Sequence, residues 1–149
     1  MIDRVKASGK FEISINGKLV ETIENKLMNA VLEAYSRSLL GTAPDIEIAY
    51  LALGTGSTAP TNTDTQLQTE VFRTPIVSLA ETSTGVIESL FIVLSAEAVA
   101  VVEEIGIFGG TTAGAGANSG TLLARVLWHH DKTASEEIQF KRTDTVRRA

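Results

Sequence analysis

The clearest pointer to the fold class is residues 11–23, FEISINGKLVETI. The first half of this stretch alternates apolar and polar side chains, which is the two-residue period of a strand with one buried face. Asn16-Gly17 follows, a dipeptide that favours a two-residue hairpin turn because both residues accept a positive φ. Such a turn would set Glu12 opposite Glu21, and like charges facing each other across strands are mildly unfavourable. A hairpin is therefore predicted, with a longer turn as the alternative.

An amphipathic α-helix is predicted near residues 26-40, directly after the hairpin. Large apolar residues recur there every four positions, as they do along one face of a helix. These residues are Leu27, Val31, Tyr35 and Leu39. Asn25 can cap the start of the helix, and Gly41 can take the left-handed position just past its end. We expect the apolar stripe to pack on a sheet.

The rest of the chain has the pattern of a β protein. Strand patterns occur at residues 46–53, 71–77, 86–94, 99–108, 122–128 and 138–140. Pro75 would place the second of these at a sheet edge, because proline cannot donate to a strand ladder. The third is apolar on both faces, which favours a central strand. Eight or so short strands predict a mostly β fold, a β-sandwich or a jelly-roll-like fold, in a single domain of residues 1–149.

The composition excludes several classes of protein. At 44% hydrophobic and 21% charged residues the chain has the composition of a globular domain. The absence of cysteine excludes disulfide scaffolds and thiolate metal sites. A net charge of -5 argues against a nucleic-acid partner. Because no secretory segment follows Met1 and no apolar run reaches about 18 residues, we expect no membrane partner and folding in a cytoplasm.

Two pairs of adjacent titratable residues are the first candidates for chemistry. His129 and His130 are neighbours in a strand, as are Glu103 and Glu104, so the side chains of each pair point to opposite faces. Neither pair can easily converge on one metal ion or on one glycosidic bond. Arg125 is a candidate partner for a glutamate in this apolar strand.

Other motifs also fall short of a catalytic or ligand site. Gly54-Thr55-Gly56 lacks the lysine and the following helix of a phosphate-binding loop. Trp128 could serve as a stacking platform for a glycan, but a lone tryptophan on a core strand is more often packed inside. We therefore expect no enzyme activity, no cofactor and no metal.

Two long loops are the candidate assembly elements. The first loop is residues 54–65, GTGSTAPTNTDT, and the second loop is residues 109–121, GGTTAGAGANSGT. Both lack large apolar side chains and exceed a simple turn, which is usual for functional or flexible loops. Because burial cannot anchor the second loop, we expect it to be mobile in the isolated chain and to reach a neighbouring subunit. The candidate assembly residues are Gly54, Thr55, Gly56, Thr63 and Asp64 in the first loop and Gly109, Gly110, Gly114, Gly116 and Asn118 in the second.

Two segments carry a family resemblance. The first is Tyr50-Leu51-Ala52-Leu53-Gly54-Thr55-Gly56, continued by Ala59-Pro60, Thr63-Asp64-Thr65, Leu67, Glu70 and Arg73. The second is Glu104-Ile105-Gly106-Ile107-Phe108, then the second loop, Gly120-Thr121-Leu122-Leu123-Ala124-Arg125-Val126 and Lys132-Thr133. Together with the hairpin and the Asn-led helix ahead of them, these segments resemble small virion proteins of tailed bacteriophages. Residues 136–142, EEIQFKR, depart from the resemblance, since the closing strand of that family is more aromatic and richer in threonine.

The resemblance implies a non-enzymatic structural component of a tailed-phage particle, located in the tail, baseplate or fibre. A capsid decoration protein or head fibre is one alternative, and a glycan-binding module that recognises a host surface is another. The implied partners are copies of the chain itself, as a trimer or a ring, and other virion proteins. The expected location is the virion, assembled in the cytoplasm of the host.

Overall fold

The computed structural model describes residues 4–25, 28–42 and 45–148, and these form two antiparallel sheets and one short helix. The elements are β1 (Val5–Ile15), β2 (Lys18–Asn25), α1 (Asn29–Leu39), β3 (Ile48–Gly54), β4 (Glu70–Pro75), β5 (Ser78–Ser83), β6 (Val86–Val93), β7 (Val101–Gly109), β8 (Thr121–Asp131) and β9 (Ile138–Arg148). The strand order is β2-β1-β9-β6-β5 in one sheet and β4-β3-β7-β8 in the other. The predicted β-dominated class is confirmed, and the two sheets pack as a sandwich.

The core lies between the two sheets and draws on both of them. The five-stranded sheet contributes buried residues such as Phe11 and Phe91, and the four-stranded sheet contributes Leu51, Ile105 and Val126. On each strand these residues alternate with side chains on the other face, as the strand period requires. Long-range strand pairing thus positions almost all of the core.

The hairpin has the two-residue turn, so the longer turn was the wrong alternative. Ile15 pairs with Lys18, and Asn16 has a φ of 49° between them. A bulge one step further along shifts the register, so that Glu12 faces Thr22 rather than Glu21. The extra residue relieves the like-charge pair without lengthening the turn.

Most strands lie at the predicted positions, but β9 extends to Arg148, well past the predicted residues 138–140, because it pairs with both β1 and β6, and one strand is added. β4 is an edge strand that ends at Pro75, and β6 lies inside its sheet. The chain then crosses to the other sheet, where the backbone N–H of Val77 donates to the carbonyl of Leu90 (2.8 Å). β5 was not predicted, because every residue from Ser78 to Ser83 is exposed and no buried face imposes an alternating pattern.

The helix is shorter than predicted at its start. α1 begins at Asn29 with Met28 at the N-cap, which makes no side-chain cap hydrogen bond. Asn25 is not the cap: it ends β2, and its Oδ1 accepts a hydrogen bond from Arg142 (3.1 Å). Gly41 has a φ of 78° and takes the left-handed position past the helix, as predicted.

The apolar stripe of the helix covers the sandwich along only part of its length. Leu27 lies outside the described residues. Val31 is half-buried and packs against the core, and Ala34 is buried. Tyr35 is 49% exposed and Leu39 is 74% exposed, so the expectation that the whole stripe packs on a sheet was wrong. Val31, Ala34 and Tyr35 line one wall of an apolar cavity, and strand residues such as Ala7 and Leu79 line the other.

Candidate functional site

The outer face of the four-stranded sheet carries a second, smaller apolar cluster. Side chains that point away from the main core meet there, and they are Met28, Ala52, Leu67, Phe108 and Leu122, with Tyr50 packed against them. Leu67 follows the first loop and is fully buried. The chain around the first loop therefore folds back and covers this face.

Glu104 fixes the first loop to the sheet. Its side chain on β7 is completely buried. One carboxylate oxygen accepts the backbone N–H groups of Gly56 (3.1 Å) and Thr69 (2.7 Å), and the other accepts the N–H of Gln68 (3.0 Å) and the Nε of Arg125 (2.8 Å). The predicted pairing of a glutamate with Arg125 is confirmed. Because all of these donors converge on one ionised group, the two ends of the loop region are held at a single point.

Arg125 continues the network into the loop. Its Nη1 donates to Asp64 (3.2 Å) and its Nη2 to the hydroxyl of Thr58 (3.3 Å). Burial raises the pKa of Asp64, but hydrogen bonds from the backbone and hydroxyl of Thr61, together with the charge of Arg125, outweigh it and hold that pKa below its ordinary value. Asp64 therefore stays ionised and acts as a structural carboxylate.

Gly54 and Gly56 are glycines for a steric reason. A Cβ at Gly54 would overlap the Glu104 carboxylate and the carbonyl of Thr69, and one at Gly56 would overlap the side chain of Gln68. The backbone approaches the glutamate too closely for any side chain. The short glycine pattern thus serves an internal carboxylate, not a bound phosphate, and both glycines are buried beneath the exposed part of the loop.

A second ion pair holds the second loop. Arg73 on β4 pairs with Glu70 through two hydrogen bonds of 2.8 Å, and both side chains are nearly inaccessible. The guanidinium carbon lies 4.5 Å from the centre of the Phe108 ring. Nη1 donates to the carbonyls of Gly114 (2.9 Å) and Ser119 (3.0 Å). Arg73 therefore ties the middle of the loop to the outer face of the sheet.

Further hydrogen bonds complete the attachment of the second loop. Glu70 accepts the N–H of Asn118 (3.0 Å), and Asp45 accepts the N–H (2.7 Å) and the hydroxyl (2.6 Å) of Thr111. The loop lacks anchoring by large buried side chains, as expected, but these polar contacts hold it to the sheet and weaken the reason for expecting it to be mobile. Small residues let the backbone carbonyls reach one guanidinium without steric conflict.

The candidate assembly residues divide into buried and exposed ones. Glycines 54, 56 and 109 are buried, and glycines 110 and 114 are half-buried. Asp64 is half-buried in the Arg125 network. The exposed members are Thr55 and Thr63 in the first loop and Gly116 and Asn118 in the second. A docking role is therefore open to these exposed members and to the neighbouring loop tips.

The remaining candidates for chemistry lie apart from one another. His129 pairs with Glu103 (2.8 Å) and His130 with Glu136 (3.0 Å), so adjacent histidines diverge as predicted. Trp128 is 7% exposed and stacks on the ring of His130, which makes it a packing residue.

In the described ranges, no three His, Asp or Glu side chains are grouped closely enough to hold a metal ion. No helix within those ranges has the length and apolar character to span a membrane.

Sequence reasoning missed the roles of Asp45, Arg73 and Lys132, of which Asp45 is exposed. The roles of Asp45 and Arg73 depend on partners far along the chain, so no local sequence pattern predicts these roles. Lys132 is buried, and its ammonium donates to the carbonyls of Leu94 (3.2 Å) and Ser95 (2.9 Å). A charged residue inside an apolar strand is the one available signal, and it pointed to Glu103, Glu104 and the partner Arg125.

Two ion pairs, Glu104–Arg125 and Glu70–Arg73, thus brace two polar loops on one face of the sandwich. No protein-family model, no curated protein and no solved structure matches the chain.

Proposed function

We propose that the chain is a non-enzymatic structural component of a tailed-phage particle, in the tail, baseplate or fibre. It acts by associating with copies of itself and by docking its two loops on other virion proteins. One observation carries the proposal. The charged residues of the phage-like segments, Glu70, Arg73, Glu104 and Arg125, are the ones that brace the loops.

Bracing favours docking because it removes an entropic cost. A loop that must be ordered on binding loses conformational freedom at that moment, and the loss reduces affinity. Here the loops are ordered before any partner arrives, through Glu104 beneath the first and Arg73 beneath the second. The charged groups of Glu70, Arg73, Glu104 and Arg125 pair within the chain. The small polar side chains of the loops are therefore the ones left to contact a partner.

The exposed strand edges support self-association. β2 and β5 are the two edges of the five-stranded sheet, and all six residues of β5 are exposed. Unpaired edges can add a strand from another chain. A trimer or a ring built through such edges, located in the virion, is part of the proposal.

The test places a charge on the loop tip while the braces stay intact. Ala117 lies exposed at the tip of the second loop, and Ala96 lies exposed in the turn after β6. In phage particles assembled with Ala117→Glu, we expect incorporation to fall at least about tenfold, because a buried unpaired charge at an interface costs well over 1.4 kcal/mol. Ala96→Glu is the matched control, and both variants should melt as the wild type does.

Incorporation of Ala117→Glu at the wild-type level would contradict docking through the second loop. Electron microscopy of particles carrying a labelled chain gives the location. Label on the tail, baseplate or fibre supports the proposal. Label on the head would replace it with the decoration-protein alternative, and absence from particles would overturn a virion role.

A further inference from the structure

The hairpin tip of β1 and β2 is bound to a turn that is distant in the sequence. Hydrogen bonds join Asn16 to residues 133–137, which form the turn between β8 and β9. The backbone N–H of Asn16 donates to the carbonyl of Glu137 (2.9 Å), and its side-chain Nδ2 donates to the carbonyl of Ser135 (3.2 Å). The N–H of Glu137 donates in return to Oδ1 of Asn16 (3.0 Å). These three bonds form a latch that engages both ends of the Asn16 side-chain amide.

Glu136 holds the 133–137 turn in place. One of its carboxylate oxygens accepts the N–H of Thr133 (2.8 Å), and the other pairs with Nε2 of His130 (3.0 Å). The His130 ring stacks on Trp128, which belongs to the main core. The turn is therefore attached to β8 independently of the hairpin, and Asn16 meets a partner that is already in position.

Asn16 is also the one asparagine of the chain that precedes a glycine, and both residues are exposed. Asparagine before glycine is especially susceptible to deamidation, because glycine has no side chain to obstruct its own backbone nitrogen. That nitrogen loses its proton and attacks Cγ of the asparagine, a C–N bond forms, and the side-chain nitrogen leaves as ammonia. Water then opens the resulting succinimide at either carbonyl and yields aspartate or isoaspartate. The net reaction consumes one water and releases one ammonia, with no change of oxidation state.

The closed latch opposes this reaction. Ring closure requires the Asn16 side chain to swing over the backbone nitrogen of Gly17, whereas its amide is held against the 133–137 turn. Nδ2 must also leave, so its hydrogen bond to the carbonyl of Ser135 has to break. Local opening of this kind costs free energy, and only the open fraction of the molecules can react.

We propose that Asn16 is a deamidation site whose reaction rate is set by the opening of the latch. The substrate is the chain itself, and the co-reactant is water. The closed fold preserves the amide, and each opening of the 133–137 turn exposes it to ring closure. This inference is independent of the proposed virion role, because it depends only on contacts within one chain.

Deamidation would prevent the latch from closing again. An ionised aspartate can still accept the N–H of Glu137, but it has no hydrogen to donate to the carbonyl of Ser135. Its charge also joins a turn that already carries Glu136 and Glu137. Isoaspartate lengthens the main chain by a methylene group, which the two-residue turn between Ile15 and Lys18 cannot accommodate without a change of pairing.

The first test compares the folded chain with the chain unfolded in urea, both at the same mildly alkaline pH. Peptide mapping by mass spectrometry follows the conversion of Asn16 to aspartate and isoaspartate. We expect rapid conversion in urea and conversion at least about tenfold slower in the folded chain, as an opening cost of about 1.4 kcal/mol would give. Equal rates in the two states would overturn control by the latch, and an Asn16 that stays intact in urea would overturn the site itself.

The second test varies the opening of the latch within the folded chain. Glu136→Ala removes both contacts that hold the 133–137 turn, and Glu103→Ala is the matched control because it breaks the other Glu–His pair. Conversion of Asn16 should rise several-fold in the first variant and stay at the wild-type rate in the second. Hydrogen exchange at the amide of Glu137 reports the opening in each variant and in wild type at low urea concentrations. Conversion that does not rise with this exchange rate would contradict the proposal, whatever the stability of the variants.

The third test examines the consequence of the reaction. Asn16→Asp reproduces one product, and hydrogen exchange at the amide of Glu137 should be several-fold faster in this variant than in the wild type. Asn62→Asp is the control, because it adds the same charge at an exposed position of the first loop and should leave that exchange unchanged. Wild-type exchange in Asn16→Asp would show that the latch survives deamidation and would overturn the proposed consequence.

Discussion

The sharpest test of the loop braces is Glu104→Gln, which keeps the shape of the side chain and removes its charge. Glu104 accepts four hydrogen bonds, from Gly56, Thr69, Gln68 and Arg125. An amide presents one oxygen and one NH₂ group. Whichever way it is turned, the NH₂ group faces two donors and leaves them without an acceptor.

The expected cost follows from this geometry. Removing one partner of a buried ion pair costs about 3–5 kcal/mol, because the remaining charge stays buried, and here Asp64 compensates Arg125 only in part. For a chain of 149 residues, this corresponds to a fall in melting temperature of roughly 6–20 °C. The loop should open locally as well, so hydrogen exchange at the amides of Gly56, Gln68 and Thr69 should accelerate.

The neighbouring residue supplies the control. Glu103 lies on the other face of β7 and pairs with His129, whose side chain is 71% exposed. Exposed ion pairs contribute about 0–1 kcal/mol, so Glu103→Gln should melt within a few degrees of the wild type. Arg125→Met should cost less than Glu104→Gln, because the glutamate keeps its three backbone donors.

Thermal unfolding followed by circular dichroism measures all three variants. Equal melting temperatures for Glu104→Gln and Glu103→Gln would refute the brace. A larger loss for Arg125→Met than for Glu104→Gln would show that the arginine, and not the convergence of backbone amides, holds the loop.

Four further outcomes are expected. Val31→Asp should lower the free energy of unfolding by about 1–3 kcal/mol in urea titration, since Val31 is half-buried against the core; wild-type stability would mean that the helix does not pack there. Gly56→Ala should cost about 1–3 kcal/mol, because its Cβ would overlap the side chain of Gln68; an unchanged midpoint would show that the loop can shift. Sugars should leave the fluorescence of Trp128 unchanged, as its ring is packed on His130, and a saturable change would favour the glycan-binding alternative. The pKa values of Asp64 and Glu136 are lowered in the fold. Their contribution to folding stability is therefore present above the ordinary carboxyl range and is lost as pH falls through about 4 and below. Asp64→Asn should make the melting temperature less dependent on acid pH.

Local patterns in the chain were sufficient for a large part of the fold. The two-residue turn at Asn16-Gly17, the edge position of β4 and the left-handed Gly41 all depend on residues within a few positions of one another. Apolar alternation located the core strands for the same reason. The Glu104–Arg125 pair could also be predicted from the sequence, because a glutamate in an apolar strand requires a compensating charge.

Other features arose only when distant segments came together. Arg73 and Ser119 are 46 positions apart, and Thr111 and Asp45 are 66 apart, so the anchoring of the second loop has no local signature. β5 is exposed on all six residues, which leaves no alternation to detect. The predicted closing strand of residues 138–140 was too short, because the length of β9 is set by its pairing with β1 across the sheet rather than by its own residues.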